Sequence, residues 1–425
     1  MSEIYDFEKI KRAKERRRNN SGNDMASGGE QLRGKKAKGI NRRLRKLVSA
    51  LVVLFVLCII LVCGFIANKS TLKLDVPAFL SSLADHAKGL NAESGSVIQA
   101  DSDEWVKYCP YKNYIIQCKS GEVSYYDINL NSIHTNSINM RNPVAKSSEK
   151  YLAVGEIEGK EINLFLDKNK AANISYDTSE RKIVNFDVAE NGYVTVVTDS
   201  IKGNNDVFLY DETGEEMSNI HYDSEFVLEA KYNIKDKQIY INRLDTSKGE
   251  ANTVIDVFLP GKKEEQAEHK RSIGNLPGVF PFWSFTESGG VYCYSEEAFL
   301  GFDKKGEGKW SFSFSSGVYG CCIIGQKTPV VVQSEYDETA GKYYVAVNIY
   351  NPSGELKKTY KHDGDIKSVF SIEDLVCLNT GYEVLFIGAD GELRGRADCE
   401  REIKKVLTVR NNTVLFEVSN GIVKG

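Results

Sequence analysis

Cys321 and Cys322 stand side by side in the run Gly320-Cys321-Cys322-Ile323-Ile324. Adjacent thiols could carry redox chemistry or line a ligand. The run around them is apolar and strand-like, however, and neighbouring side chains on a strand point to opposite faces. Cysteine is also among the most buried residue types, so the pair reads as two core residues. Cys109 and Cys118 flank a candidate hairpin at 110–113 and could form a cross-strand bond. Seven cysteines lie outside the long apolar segment described below, an odd number, so counting fixes no disulfide. His134, His221, His269 and His362 are dispersed, each shortly after a turn-rich stretch. A metal needs ligands that converge on one point. The chain holds no Gly-x-Gly-x-x-Gly, Walker, His-Glu-x-x-His, Gly-x-Ser-x-Gly or Cys-x-x-Cys signature. The sequence therefore assigns no catalytic residue, no metal site and no cofactor.

The elements that would position any site follow from charge and pattern. Residues 1–46 hold 15 Lys and Arg against 6 Asp and Glu, 47–68 hold neither, and 69–425 hold 40 against 53. The large part is acidic and lacks the basic face that nucleic-acid binding requires. The split also excludes a simple soluble enzyme. With 41% hydrophobic residues, a sizeable core is available.

From Leu47 to Ala67 run 21 residues without a charge. That is enough to cross about 30 Å of hydrocarbon as a helix. A helix satisfies its own backbone polar groups there. Cleavable signal peptides have apolar cores of about 7–15 residues and a small-x-small exit, and this segment has neither. Val62 stands where a small residue would precede a lipidated Cys63. An uncleaved signal anchor is expected. Arg42, Arg43, Arg45 and Lys46 abut it, with Arg33, Lys35, Lys36 and Lys38 further out and no acid among them. The positive-inside rule then places the N-terminus in the cytoplasm and residues 68–425 outside it, at the cell membrane.

The tail, 1–46, is poor in large apolar residues and reads as disordered. Its basic residues suit anionic lipid headgroups at about 1 kcal/mol each, although topology alone accounts for those nearest the segment. The outlying run from Lys11 to Arg18 could dock a partner. Residues 68–95 read as a linker. Asp75 suits a helix N-cap and Pro77 its first turn, and Phe79, Leu80, Leu83, Ala87 and Leu90 make one apolar stripe of a short helix.

From residue 96 to 425 the pattern is short strands rich in Val, Ile, Tyr and Phe between turn residues. A unit recurs: an apolar strand, then Asp or Asn, then a tight turn with Gly. Clear copies carry Asp211 and Gly214, Asp303 and Gly306, Asn351 and Gly354, and Asp390 and Gly391, with weaker ones at Asp127, Asp167 and Pro260. The intervals between 127, 167, 211, 260, 303, 351 and 390 are 40, 44, 49, 43, 48 and 39 residues. That is the length of a four-stranded propeller blade. Asp and Asn cap such turns by accepting from nearby backbone amides, and Gly takes the positive φ, so these are scaffold residues. The last stretch supplies three strands, and Ser96 to Ala100 could add a fourth and close the ring. The expected fold is all-β, a propeller of eight blades, with seven if the terminal stretch is an appendage.

At these turns the chain resembles the degenerate quinoprotein-type propeller repeat, x-x-Asp-x-x-Thr-Gly-x-x-x-Trp. Thr213 and Gly214 fit that frame, with Asp211 one residue closer to them and with Met217 and Ser218 near the expected Trp. Asp303, Gly306 and Trp310 nearly fit, with Trp one residue early. The resemblance implies a propeller, and for the methanol-oxidising kind an adjacent-cysteine disulfide against a quinone cofactor. No cofactor motif accompanies Cys321 and Cys322. The layout of basic tail, anchor and outer propeller is similar to an uncharacterised family of membrane-anchored propeller proteins of Gram-positive bacteria. The expected role is a single-pass, extracytoplasmic, non-catalytic module that binds or scaffolds a protein partner. The alternatives are a cofactor-dependent, quinoprotein-like enzyme and a transmembrane sensor.

Overall fold

The computed structural model describes residues 97–425, apart from 101–104, 177–180, 201–202, 248, 262–265, 315–316 and 410–412. The tail with Arg42, Arg43, Arg45 and Lys46, the segment Leu47 to Ala67 and the linker helix lie outside the described residues. Among the described residues no helix is long and apolar enough to cross a membrane.

Eight four-stranded antiparallel sheets make the ring. Seven are meanders of consecutive strands: blade 1 at 106–137, blade 2 at 143–175, blade 3 at 181–222, blade 4 at 226–277, blade 5 at 282–313, blade 6 at 318–362 and blade 7 at 368–398. Blade 8 joins Lys405–Val409, Thr413–Val418 and Gly421–Lys424 to Val97–Gln99 from the other end of the propeller. Eight is therefore the blade number, and the strand after residue 96 closes the ring as its pattern predicts.

The middle strands explain their own sequences. Val194–Ser200 and Asn205–Tyr210 are buried almost throughout, because both faces of a blade pack on neighbours and favour continuous β-branched and aromatic runs. Fourth strands such as Ser132–Ser137 and Leu356–His362 are largely solvated and polar. The core is accordingly divided into eight clusters, each shared by two adjacent blades. Ile98, Leu407, Leu415 and Ile422 with Tyr108 and Ile115 join the last blade to the first. First strands approach one another around the axis, as where Asn185 Nδ2 donates to the Leu228 carbonyl at 2.8 Å.

A meander fixes two faces. Turns between strands 1 and 2, and between 3 and 4, fall on one face, here the turn face. Turns between strands 2 and 3 and all blade-to-blade links fall on the other, the link face. Every recurring Asp or Asn turn joins strands 3 and 4. Asp211 Oδ1 accepts from the amides of Thr213 and Glu215, each at 2.9 Å, and from Thr213 Oγ1 at 2.7 Å. Asp127, Asp303 and Asn351 accept in the same pattern. Gly214, Gly306 and Gly354 follow three residues on at φ 83°, 85° and 84°. In blade 1 that place is taken by Leu130 at φ 63°. Two copies depart from the sequence alignment. In blade 7 the turn runs from Gly388 to Gly391, so Gly388 occupies the capping position and Asp390 sits inside the turn. In blade 2 only Asp167 and Lys168 connect the strands, Asp167 itself lies at φ 57°, and its carboxylate pairs with Lys112.

At Asp211 partial burial opposes ionisation, but the hydrogen bonds from Thr213 and Glu215 outweigh it and hold the carboxyl below its usual range. A depressed folded value adds stability above the unfolded pKa of about 4, lost as pH falls through the folded one. Asp211→Ala should therefore cost about 1 kcal/mol at pH 7. In urea titrations the difference should shrink steadily as pH falls below about 4; a difference that stays constant as pH falls would contradict the capping role.

Trp310 ties blade 5 to blade 6. Its Nε1 donates to the Pro352 carbonyl of the next blade at 3.0 Å, and its ring covers Gly354, where an added Cβ would meet it at 2.5 Å. The adjacent cysteines separate as strand geometry requires. Cys321 packs between blades 5 and 6 and Cys322 between blades 6 and 7, and both are free thiols. Cys109 opposes Ile116 while Cys118 opposes Lys107, so these two are offset by a residue pair, and both are free.

Candidate functional site

On the link face the rings of the strand ends stay in solvent. Among the described residues seven aromatic side chains are exposed: Trp105, Phe226, Phe282, Tyr319, Tyr336, Tyr343 and Tyr382. All seven lie at starts of first strands, ends of second strands, the turns between strands 2 and 3, or, for Tyr343, the start of a third strand. The exposed large residues on the turn face are aliphatic instead: Ile133, Leu166, Ile234, Leu259 and Leu356.

Blade 6 carries the most prominent part. Its second strand, Thr328–Asp337, and third, Lys342–Tyr350, outrun both flanking strands. The pairs Glu335–Tyr344, Tyr336–Tyr343 and Asp337–Lys342 project as a two-stranded arm of about 10 Å. Asp337 Oδ1 caps the arm's turn by accepting from Thr339 and Ala340, each at 3.0 Å. Glu335 braces its base, accepting from Tyr344 Oη and Asn348 Nδ2, each at 2.8 Å. Tyr336 and Tyr343 pack with centroids 5.0 Å apart while remaining 53% and 70% exposed. In blade 5, Phe282 stacks on Tyr294 at 5.1 Å with 54% of Phe282 exposed. Rigid, half-bare rings on a fixed scaffold are the side chains that anchor protein partners, and contiguous exposed apolar surface marks interaction sites.

The channel holds a second group. Bulges at Ile183/Asn185 and Val227/Glu229 re-aim the side chains of two neighbouring first strands. Lys146 Nζ reaches Asn185 Oδ1 at 2.9 Å and Glu229 Oε1 at 3.2 Å. Lys231 Nζ lies 2.8 Å from Glu229 Oε2 and 3.3 Å from the Trp283 carbonyl. Burial works against Glu229, but Lys231 and Lys146 hold its carboxyl below the usual range. Burial pushes the Asp187 carboxyl up to about 6 despite the same two ammonium groups. Lys146 thus ties blade 2 to Asn185 of blade 3 and Glu229 of blade 4, while the other oxygen of Glu229 holds Lys231 on its own strand.

Asp187 is protonated more readily folded than unfolded, so its ionisation subtracts stability as pH rises through about 6. Asp187→Asn should stabilise the chain by about 1–3 kcal/mol at pH 7.5 and by much less at pH 4.5. Denaturation at those two values checks this, and an equal effect at both would contradict it.

The residues singled out in the sequence take other places. Asp127, Asp167, Asp211, Gly214, Asp303, Gly306, Asn351, Gly354, Asp390 and Gly391 are distributed one turn per blade on the turn face and converge on nothing. His134, His221, His269 and His362 each stand on the fourth strand of a different blade. Residues 88–424 match the model of DUF5711, a family of unknown function. The chain belongs to that family. No curated protein matches it. Among solved structures the DUF5711 propeller is similar to Sqt1 of Saccharomyces cerevisiae, with TM-score 0.54 and 8% identity over 79% of this chain and 100% of the other. Sqt1 of Chaetomium thermophilum gives 0.53 and 10% over 79% and 99%. BamB of Moraxella catarrhalis gives 0.47 and 13% over 78% and 98%. At such identities the Sqt1 likeness shows the fold alone.

Sequence reasoning missed both groups. The arm had a signal: two tyrosines flanking Asp337 to Gly341, in a blade interval of 48 residues against 39 to 44 for most. The channel group had none, because Lys146, Asp187 and Glu229 meet only once three blades are in register.

Proposed function

We propose that this DUF5711 chain is a membrane-anchored, extracytoplasmic propeller that acts as a non-catalytic protein-binding scaffold through its link face. One observation carries the proposal: the exposed aromatic side chains gather on that face and are replaced by aliphatic ones on the other. The anchor rests on the uncharged run from Leu47 to Ala67 and the basic residues before it, which would also meet anionic lipid headgroups. The channel group favours a second possibility, a small ligand or cofactor-dependent reaction at Lys146, Asp187, Glu229 and Lys231. Cys321 and Cys322, free and on opposite faces of their blade, speak against its quinoprotein-like form.

A membrane-impermeant amine crosslinker added to intact cells tests the scaffold role in the full-length chain and in a form lacking residues 1–30, which keeps the basic residues that set orientation. One protein should recur with both forms, joined through link-face lysines such as Lys342 or Lys367, with tail lysines unreacted. Absence of a recurring protein, or links formed only through the tail, would overturn the proposal.

A further inference from the structure

The arc of the link face over blades 5 to 7 has a charge pattern that narrows the partner. Its lysines are already engaged: Lys342 with Asp363 at 3.1 Å, Lys361 with Asp337 at 3.3 Å, and Lys367 with Glu402. Four exposed carboxylates, Glu296, Glu297, Glu338 and Asp365, have no ion-pair partner among the described residues. They lie close in sequence to the aromatic residues of these three blades. Glu296 and Glu297 follow Tyr294 in blade 5, Glu338 tips the arm between Tyr336 and Tyr343, and Asp365 lies in the link to blade 7 ahead of Tyr382.

We propose that this arc binds an extended polypeptide segment bearing arginine or lysine side chains, an inference that rests on the link face being the protein-binding face. An aromatic face attracts a cation electrostatically, and Arg stacks on such rings while its fork of donors reaches a neighbouring carboxylate. Rings and acids set on three successive blades match side chains spaced along an extended chain rather than one compact epitope. A second copy of this chain is a poor occupant, since its own link-face arc is acidic, and like charges across an interface suppress association. A nucleic acid or an anionic lipid surface would meet the same repulsion.

The test uses the full chain in detergent and a synthetic (Arg-Ser)4 peptide, with (citrulline-Ser)4 and (Glu-Ser)4 as comparisons, measured by calorimetry. Binding of the Arg peptide should weaken at least tenfold in E296Q/E297Q/E338Q and in Y336A/Y343A, and should fall with added salt. The turn-face variant E212Q/E287Q/E392Q should bind as the unchanged chain does. No binding of the Arg peptide, equal binding of the citrulline peptide, or an unchanged affinity in E296Q/E297Q/E338Q would overturn the inference. Failure here alongside a recurring crosslinked partner on the link face would reject the basic partner and keep the scaffold. Absence of any crosslinked partner would reject the scaffold itself.

Discussion

Gly421→Val should open the ring. Gly421 starts the third strand of blade 8 at φ 136°, and an added Cβ would lie 1.7 Å from the Ile98 carbonyl oxygen. That carbonyl belongs to Val97–Gln99, the strand that arrives from the other end of the propeller and pairs with Gly421 through Gln99. Two penalties combine: a backbone conformation that side chains rarely adopt, and displacement of the closing strand with its buried Ile98. The expected cost is about 3–5 kcal/mol, at the upper end for a single substitution. Urea denaturation should show it, and limited proteolysis should cut first near residue 100. A midpoint equal to that of the unchanged chain would mean that Val97–Gln99 does not hold the ring shut.

The second large effect concerns binding and should leave the fold untouched. Tyr336→Ala with Tyr343→Ala removes two side chains already exposed, so folding stability should change by no more than about 0.5 kcal/mol. If the arm anchors the partner, each ring is a hot spot worth about 2 kcal/mol or more, and the pair should weaken binding at least a hundredfold. Leu356→Ala, an equally exposed change on the turn face, should do neither. Affinity for the crosslinked partner, with thermal midpoints for all three chains, separates these outcomes. Loss of binding in Leu356→Ala instead would assign recognition to the turn face.

Much of the fold was legible because propeller turns impose local chemistry. Asp211, Asp303 and Asn351 cap turns that need an acceptor at one place and a left-handed residue three places on. That requirement is written in four or five residues, so it survives without long-range information. The turn at Gly388 shows the limit: the same backbone forms without the capping carboxylate, and the nearby Asp390 drew the alignment two residues off. The closing strand was legible from a deficit, three strands where four were needed. The opposite projection of Cys321 and Cys322 follows from a strand's period of two. The link-face crown was not legible in this way. An exposed Tyr343 and a buried Tyr240 look alike in sequence, and only strand ends and register separate them.

The most direct measurement of the scaffold account is site-specific photo-crosslinking in intact cells. A photoreactive amino acid is placed at Tyr343 on the link face or at Leu356 on the turn face of the full-length chain. The account predicts a discrete crosslinked protein from position 343 and none from position 356. Adducts of equal yield from both positions, or from 356 alone, would contradict it.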